Sequence, residues 1–244
     1  MHQTQEYRAI LATDIERSSG RGMIALRAIR ETLQSELREA AGQSGIDWDA
    51  CLRIDSGDGM HLIVPSDVPK ARLVYPLLRE LATRLRAHNR LAGPPAQVRV
   101  RLALHAGDVD ISPRGTVSGP PLEVTARMLD AAEVKSALKA SPDASLAALL
   151  SPHFYDETVP HGYPGIEAGD FRKVSVAVKN YTGDAWLCVP HTGNQPGGGQ
   201  PKDAGEPSDR FSMTNSASRG GVVNAVQHGS LYVGGSPARP EERP

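Results

Sequence analysis

The sequence predicts an α+β domain of the ferredoxin-like, split βαβ kind, with an antiparallel-rich sheet and helices packed on it. Three observations point there. Segments of period 2 and period 3.6 succeed one another in the order β-α-β-β-α-β-α-β-β along residues 1–190. Residues 97–105, QVRVRLALH, alternate apolar and polar side chains, the pattern of a half-buried strand. Near residue 190 the composition changes, so the ordering force of a core ends there.

Arg8–Thr13 reads as the first strand. Leu26, Ile29, Leu33, Leu37 and Ala40 recur at spacings of three and four and make one face of an amphipathic helix. Residues 51–54 and 60–64 read as two strands joined by Asp55-Ser-Gly-Asp-Gly59, a turn rich in Asp and Gly. Leu73, Leu77, Leu81 and Leu85 carry a second helix from Pro69 to Asn89, and Pro76 inside it marks either a kink or a new start. Residues 121–139 read as helix, and 171–178 and 185–189 as two closing strands. His191 to Gly221 holds seven glycines and three prolines and reads as a flexible linker. Residues 222–235, VVNAVQHGSLYVGG, are β-prone but too short for a domain, and 236–244 read as a disordered end.

Composition limits the function. With 27 Lys+Arg against 28 Asp+Glu the formal charge is −1, which argues against a protein that coats nucleic acid. The two cysteines, Cys51 and Cys188, are isolated, so neither a disulfide scaffold nor a cysteine zinc site is indicated, and a reducing cytoplasm is the expected compartment. No apolar run reaches the roughly 20 residues of a membrane span, and residues 1–14 lack the features of a signal peptide.

Two carboxylates stand out. Asp14 ends the first strand and Asp58 sits in the hairpin turn. In the split βαβ sheet the first and third strands are neighbours, so both side chains can reach one place and hold a divalent cation through oxygen. Ser18-Ser19-Gly20 follows, reading as the opening of the first helix, where free N–H groups favour phosphate. Alone, each Asp also reads as an ordinary turn or cap residue. His105 ends a strand and reads as a structural hydrogen-bonder. His61, His153 and His161 have no partner at metal spacing, and Trp48 and Trp186 read as core or edge aromatics.

Four segments in order resemble the motifs of class III nucleotidyl cyclases: LATDIERSS (11–19), IDSGDGMHLIVP (54–65), VRVRLALHAGDV (98–109) and SGPPLEVTARMLDAA (118–132). They resemble the family's FTDIxGST, its Gly-Asp hairpin, RxGIHxGxV and GxxVNxAxRLxxxA, and suggest a divergent bacterial cyclase-type domain. The resemblance implies that Asp14, Asp58 and the Ile15 carbonyl bind Mn2+ or Mg2+. It implies that Arg127 stabilises charge at the α-phosphate, and that an NTP becomes a 3′,5′-cyclic nucleotide and pyrophosphate. It also implies a head-to-tail homodimer with shared sites, because one protomer supplies the carboxylates and the other the arginine.

The sequence departs from the family at the nucleotide contacts. Glu123 replaces the family asparagine. The purine-reading positions fall on Ile54 and Thr116, which cannot make the charged contact that selects adenine. Pyrimidine nucleotides, UTP or CTP, are candidates, since pyrimidine cyclases of anti-phage defence belong to this superfamily. The other reading is a catalytically degenerate module that senses nucleotide or dimerises. Val226-Gln227-His228-Gly229 resembles the core of RHIM-like amyloid-signalling motifs, which implies an effector partner bearing a similar tail. Neither nucleic acid nor membrane is an expected partner.

Overall fold

A computed structural model describes residues 4–179 and 181–190. The segments read as linker, β-prone tail and chain end lie outside the described residues.

The elements follow in the order β1 (Thr4–Ile15), α1 (Met23–Gln43), β2 (Leu52–Asp55), β3 (Gly59–Val64), α2 (Ala71–Val74), α3 (Leu77–Leu91), β4 (Val100–Ile111), β5 (Val117–Ser118), α4 (Pro120–Asp130), α5 (Ala132–Ala140), β6 (Leu146–Leu150), α6 (Pro152–Asp156), β7 (Arg172–Val178) and β8 (Tyr181–Cys188). The strands form one sheet in the order β2-β3-β1-β4-β6-β8-β7, with β5 paired to β4. β4 and β6 run parallel and the other pairs are antiparallel. The run β2-β3-β1-β4 is the split βαβ core.

β1 lies between β3 and β4 and is covered on both faces, which explains the near-continuous apolar run AILA. On one face Leu11 and Ile15 meet Ile29, Leu33 and Leu37 of α1 and Leu77, Leu81 and Leu85 of α3. On the other face Ala12 and Ala103 meet Met128 and Leu129 of α4 and Val134 and Leu138 of α5. A smaller cluster of Ile10, Ile63, Val109 and Val117, flanked by Leu52 and Ile54, covers the β2–β3 side of that second face.

Several elements differ from the sequence reading. β1 runs four residues further toward the N-terminus and two further toward the C-terminus, because β4 pairs with it over its whole length from Thr4↔Ile111 to Ile15↔Val100. At Pro76 the structure takes the second of the two outcomes read from the sequence, a new start: α2 and α3 are separate helices divided at Tyr75-Pro76, since proline removes a donor and crowds the preceding turn. The helix read over 121–139 breaks at Ala131, which has an extended backbone. β6, LAALL, is absent from the sequence reading. All five of its residues are buried, so it shows no alternation, and Ala and Leu favour helix in isolation.

Candidate functional site

The site forms where β1 ends. Register places Asp14 between Gly59 of β3 and Arg101 of β4. Side chains of paired residues share a face, so Asp14 and Arg101 stand side by side on the α4-covered face. They form an ion pair, Arg101 Nη2 to Asp14 Oδ2, in which both side chains are less than one-fifth exposed.

Gly59 is required for this approach. A Cβ there would lie 1.8 Å from the Thr13 carbonyl oxygen. The absent side chain lets β3 close on β1 and brings the preceding Asp58 to the end of β1. The Ile15 amide donates to the Asp58 carbonyl at 3.1 Å, and the Ser18 hydroxyl donates to Asp58 Oδ2 at 2.5 Å. Ser18 is buried although it lies in a loop, because it holds this carboxylate. The turn itself is shaped by Asp55, whose Oδ1 accepts from the Gly57 amide at 2.8 Å, and by Gly57 at φ +92°.

Burial raises the Asp14 carboxyl to about 6. Arg101 opposes that shift, and the neighbouring Asp58 carboxylate reinforces it. The two carboxylates therefore share a field that a positive group relieves, and in this structure Arg101 is that group. Two neighbouring carboxylates are hard anionic oxygen donors, the kind a small divalent cation takes. Among the described residues, no group of three or more His, Cys, Asp or Glu side chains could hold a metal ion.

The remaining predicted positions spread over the same half of the sheet. Ser19 is exposed in the loop after β1. α1 opens at Met23 behind Gly22, so Ser18-Ser19-Gly20 lie in the turn before the helix rather than at its first residues. Ile54 of β2 pairs with His61 and packs on the cluster around Ile63. Thr116 is exposed in the β4–β5 turn, where its amide donates to Ser112 Oγ at 3.0 Å. Glu123 is exposed in the first turn of α4. Arg127 lies in the last turn of α4, and its buried Nε has no hydrogen-bond partner among the described residues. Within the one chain, Asp14, Asp58 and Ser18 come together, and no ion pair joins Arg127 to them. His105 Nδ1 and Ser151 Oγ are 2.8 Å apart, and the same Ser151 oxygen accepts from the Phe154 amide at the start of α6.

The sequence reading missed Arg101. Two signals were available: the arginine of the motif RxGIHxGxV falls on Arg101, and its phase puts it on the same side as Ala103 and His105, in a strand flanked by helices, where it needs a counter-charge. Which carboxylate supplies it depends on register. A cleft of about 180 Å3 also opens beside the turn, lined by Arg30 and Leu33 of α1 with Asp55, Asp58 and Met60 of the hairpin. Arg30 closes one side by binding both Asp55 oxygens at 2.6 and 2.9 Å.

No protein-family model and no curated protein matches the chain. Solved structures do. The guanylyl cyclase Cya2 superposes with a TM-score of 0.55 at 12% identity, over 78% of this chain and 93% of that one. The adenylyl cyclase CyaB from P. aeruginosa gives 0.54 at 13% identity, over 78% and 97%. An adenylate/guanylate cyclase/hydrolase from Silicibacter pomeroyi gives 0.55 at 19% identity, over 78% and 100%. The chain thus has the fold of nucleotidyl cyclase catalytic domains, and it spans nearly the full length of these three. No helix among the described residues is long and apolar enough to cross a membrane.

Proposed function

We propose that the chain is a nucleotidyl cyclase, a phosphorus–oxygen lyase acting on a nucleoside triphosphate, with UTP or CTP as the favoured substrates. One observation carries the reading: Asp14 and Asp58 meet at the end of the central strand of a cyclase-type fold, with Ser18 orienting the second carboxylate. Asp14, Asp58 and the Ile15 carbonyl are the groups that would hold Mn2+ or Mg2+. When bound, such an ion supplies Lewis-acid stabilisation of phosphate charge and lowers the pKa of the attacking ribose 3′-hydroxyl.

The chain's own residues position and neutralise the substrate. Ser18 fixes the Asp58 rotamer. The loop of Ser18 and Ser19 offers hydroxyls and backbone N–H groups to phosphate. Arg127, with a buried Nε lacking a partner, offers positive charge to the α-phosphate as the 3′-oxygen attacks and pyrophosphate leaves. The resemblance to the cyclase family underlies the proposed homodimer, in which each site draws its arginine from the second copy. Ile54 and Thr116 present an apolar and a hydroxyl side chain to the base. Neither carries the charge an adenine reader needs, hence the pyrimidine proposal. Glu123 stands at the ribose-contacting position.

Mass spectrometry of products after incubation with Mn2+ and each of the four NTPs tests this reading. A cyclic pyrimidine nucleotide is expected from the wild type and none from Asp58→Ala. Mixing Asp58→Ala with Arg127→Ala restores about a quarter of wild-type activity if sites are shared in a C2 dimer. Absence of product from every NTP refutes the cyclase reading and favours the sensing or dimerisation module. The 222–235 segment is proposed to recruit a defence effector through amyloid-like pairing, and a soluble, thioflavin-negative peptide of residues 220–236 counts against that.

A further inference from the structure

We propose that Arg101 is a resident counter-ion that competes with a divalent cation for Asp14, so the site exchanges one positive partner for another when it loads. The inference rests on the reading of Asp14 and Asp58 as the cation-holding pair.

Asp14 is mostly withdrawn from solvent and lies next to a second carboxylate. A charge in that position is costly without a positive partner. Register supplies one, because Arg101 is the residue of β4 directly opposite Asp14. The guanidinium and a cation meet the same electrostatic need at the same carboxylate, and they repel each other, so they oppose each other's binding.

The way Arg101 is held distinguishes it from a structural arginine. Arg99, two residues earlier and just before β4, is fully engaged. Its Nε donates to the Ala144 carbonyl at 3.0 Å and its Nη2 to the Leu138 and Ser141 carbonyls, while Nη1 pairs with Glu16 at 3.0 Å. Arg101 has Asp14 as its partner among the described residues, and its Nε is buried with no hydrogen-bond partner. That is a guanidinium with a donor to spare, paired with Asp14. Once displaced it needs an anion, which a phosphate group arriving with the cation provides. Cation and phosphate thereby favour each other's binding, and a cation alone binds weakly.

The test measures Mn2+ binding to the full chain without nucleotide, from the EPR signal of free Mn2+. The wild type is compared with R101Q, D14N, R30Q and the D14N/R101Q double variant. R101Q is expected to bind Mn2+ about tenfold more tightly, equivalent to about 1.4 kcal/mol. The gain should vanish in the D14N background, because it runs through Asp14. R30Q removes a positive charge from the neighbouring Arg30–Asp55 pair and is expected to change little, which separates a direct exchange from a general field effect. An R101Q affinity equal to or weaker than wild type overturns the inference, as does an equal gain in R30Q. If R101Q fails to fold, R101K serves. Its shorter, single-point charge pairs less well, and a gain of about threefold is expected. No gain overturns the inference. Wild type that binds while R101Q gains nothing sinks the exchange alone. Failure of every variant to bind Mn2+ sinks both the exchange and the cation-site reading.

Discussion

Gly59→Ala is the sharpest probe of how the site is built. Gly59 has no left-handed φ, so its conformation does not require glycine. Space does. An added methyl carbon would lie 1.8 Å from the Thr13 oxygen, 2.6 Å from the Thr13 carbon and 2.9 Å from the Asp14 Cα. Carbon–oxygen contacts normally begin beyond about 3 Å, so more than an ångström must be made up. All three obstructing atoms are backbone in the central strand, which pairs with β4 on its other side and cannot rotate away like a side chain. Relief requires β3 to part from β1 near Asp14↔Gly59, breaking ladder hydrogen bonds and the Ile15–Asp58 bond at 3.1 Å. The expected cost is at least about 3 kcal/mol, beyond ordinary overpacking. For a domain of this size that lowers Tm by about 6 to 12 °C. Thermal and urea unfolding followed by circular dichroism measure it. Gly57→Ala is the internal control: nothing lies within 4 Å of its added carbon, but its φ is +92°, so only backbone strain of about 1 to 2 kcal/mol is expected. A Gly59→Ala protein within about 1 kcal/mol of wild type, or less damaged than Gly57→Ala, refutes the steric argument.

Two further outcomes are expected. Burial, reinforced by His153, lowers the His105 imidazole from 6.5 to about 4. The unfolded chain then takes up a proton at a pH where the folded chain does not. Stability is thus fully present above about pH 6.5 and is lost as pH falls from there to about 4, by about 3 kcal/mol. His105→Gln should remove that part of the acid slope in unfolding curves taken from pH 7 to 4, and an unchanged slope would show that His105 titrates normally. Arg99→Met removes a side chain that satisfies three carbonyls, Leu138 in the last turn of α5 and Ser141 and Ala144 in the loop after it, and pairs with Glu16. A loss of about 2 to 4 kcal/mol is expected in urea unfolding, and a loss below about 0.5 kcal/mol would show the clamp to be idle.

The sheet core was readable because β1, β3 and β4 each carry a local pattern and because proline and glycine punctuate the chain. α1 followed from Ile29, Leu33, Leu37 and Ala40, all of which are buried. β6 was not readable, because a strand buried on both faces has no period of 2 to detect. The pairing of Asp14 with the Asp58 turn was legible only through the assumed strand order. The Arg101–Asp14 pair was not legible, since register arises from the packing of whole strands.

By itself the sequence determined the kinds and order of most elements, the break at Pro76, the change of character near residue 190, and the two carboxylates worth watching. These are local properties, written in side-chain period, backbone restriction and composition. The tertiary structure decided how far β1 extends, where β6 joins, that Gly59 must be glycine, and which arginine faces Asp14. Each of these depends on atoms about 45 to 107 residues apart in sequence being brought together. No local pattern encodes such a distance; it emerges only when the strands pair and one register buries every apolar face at once.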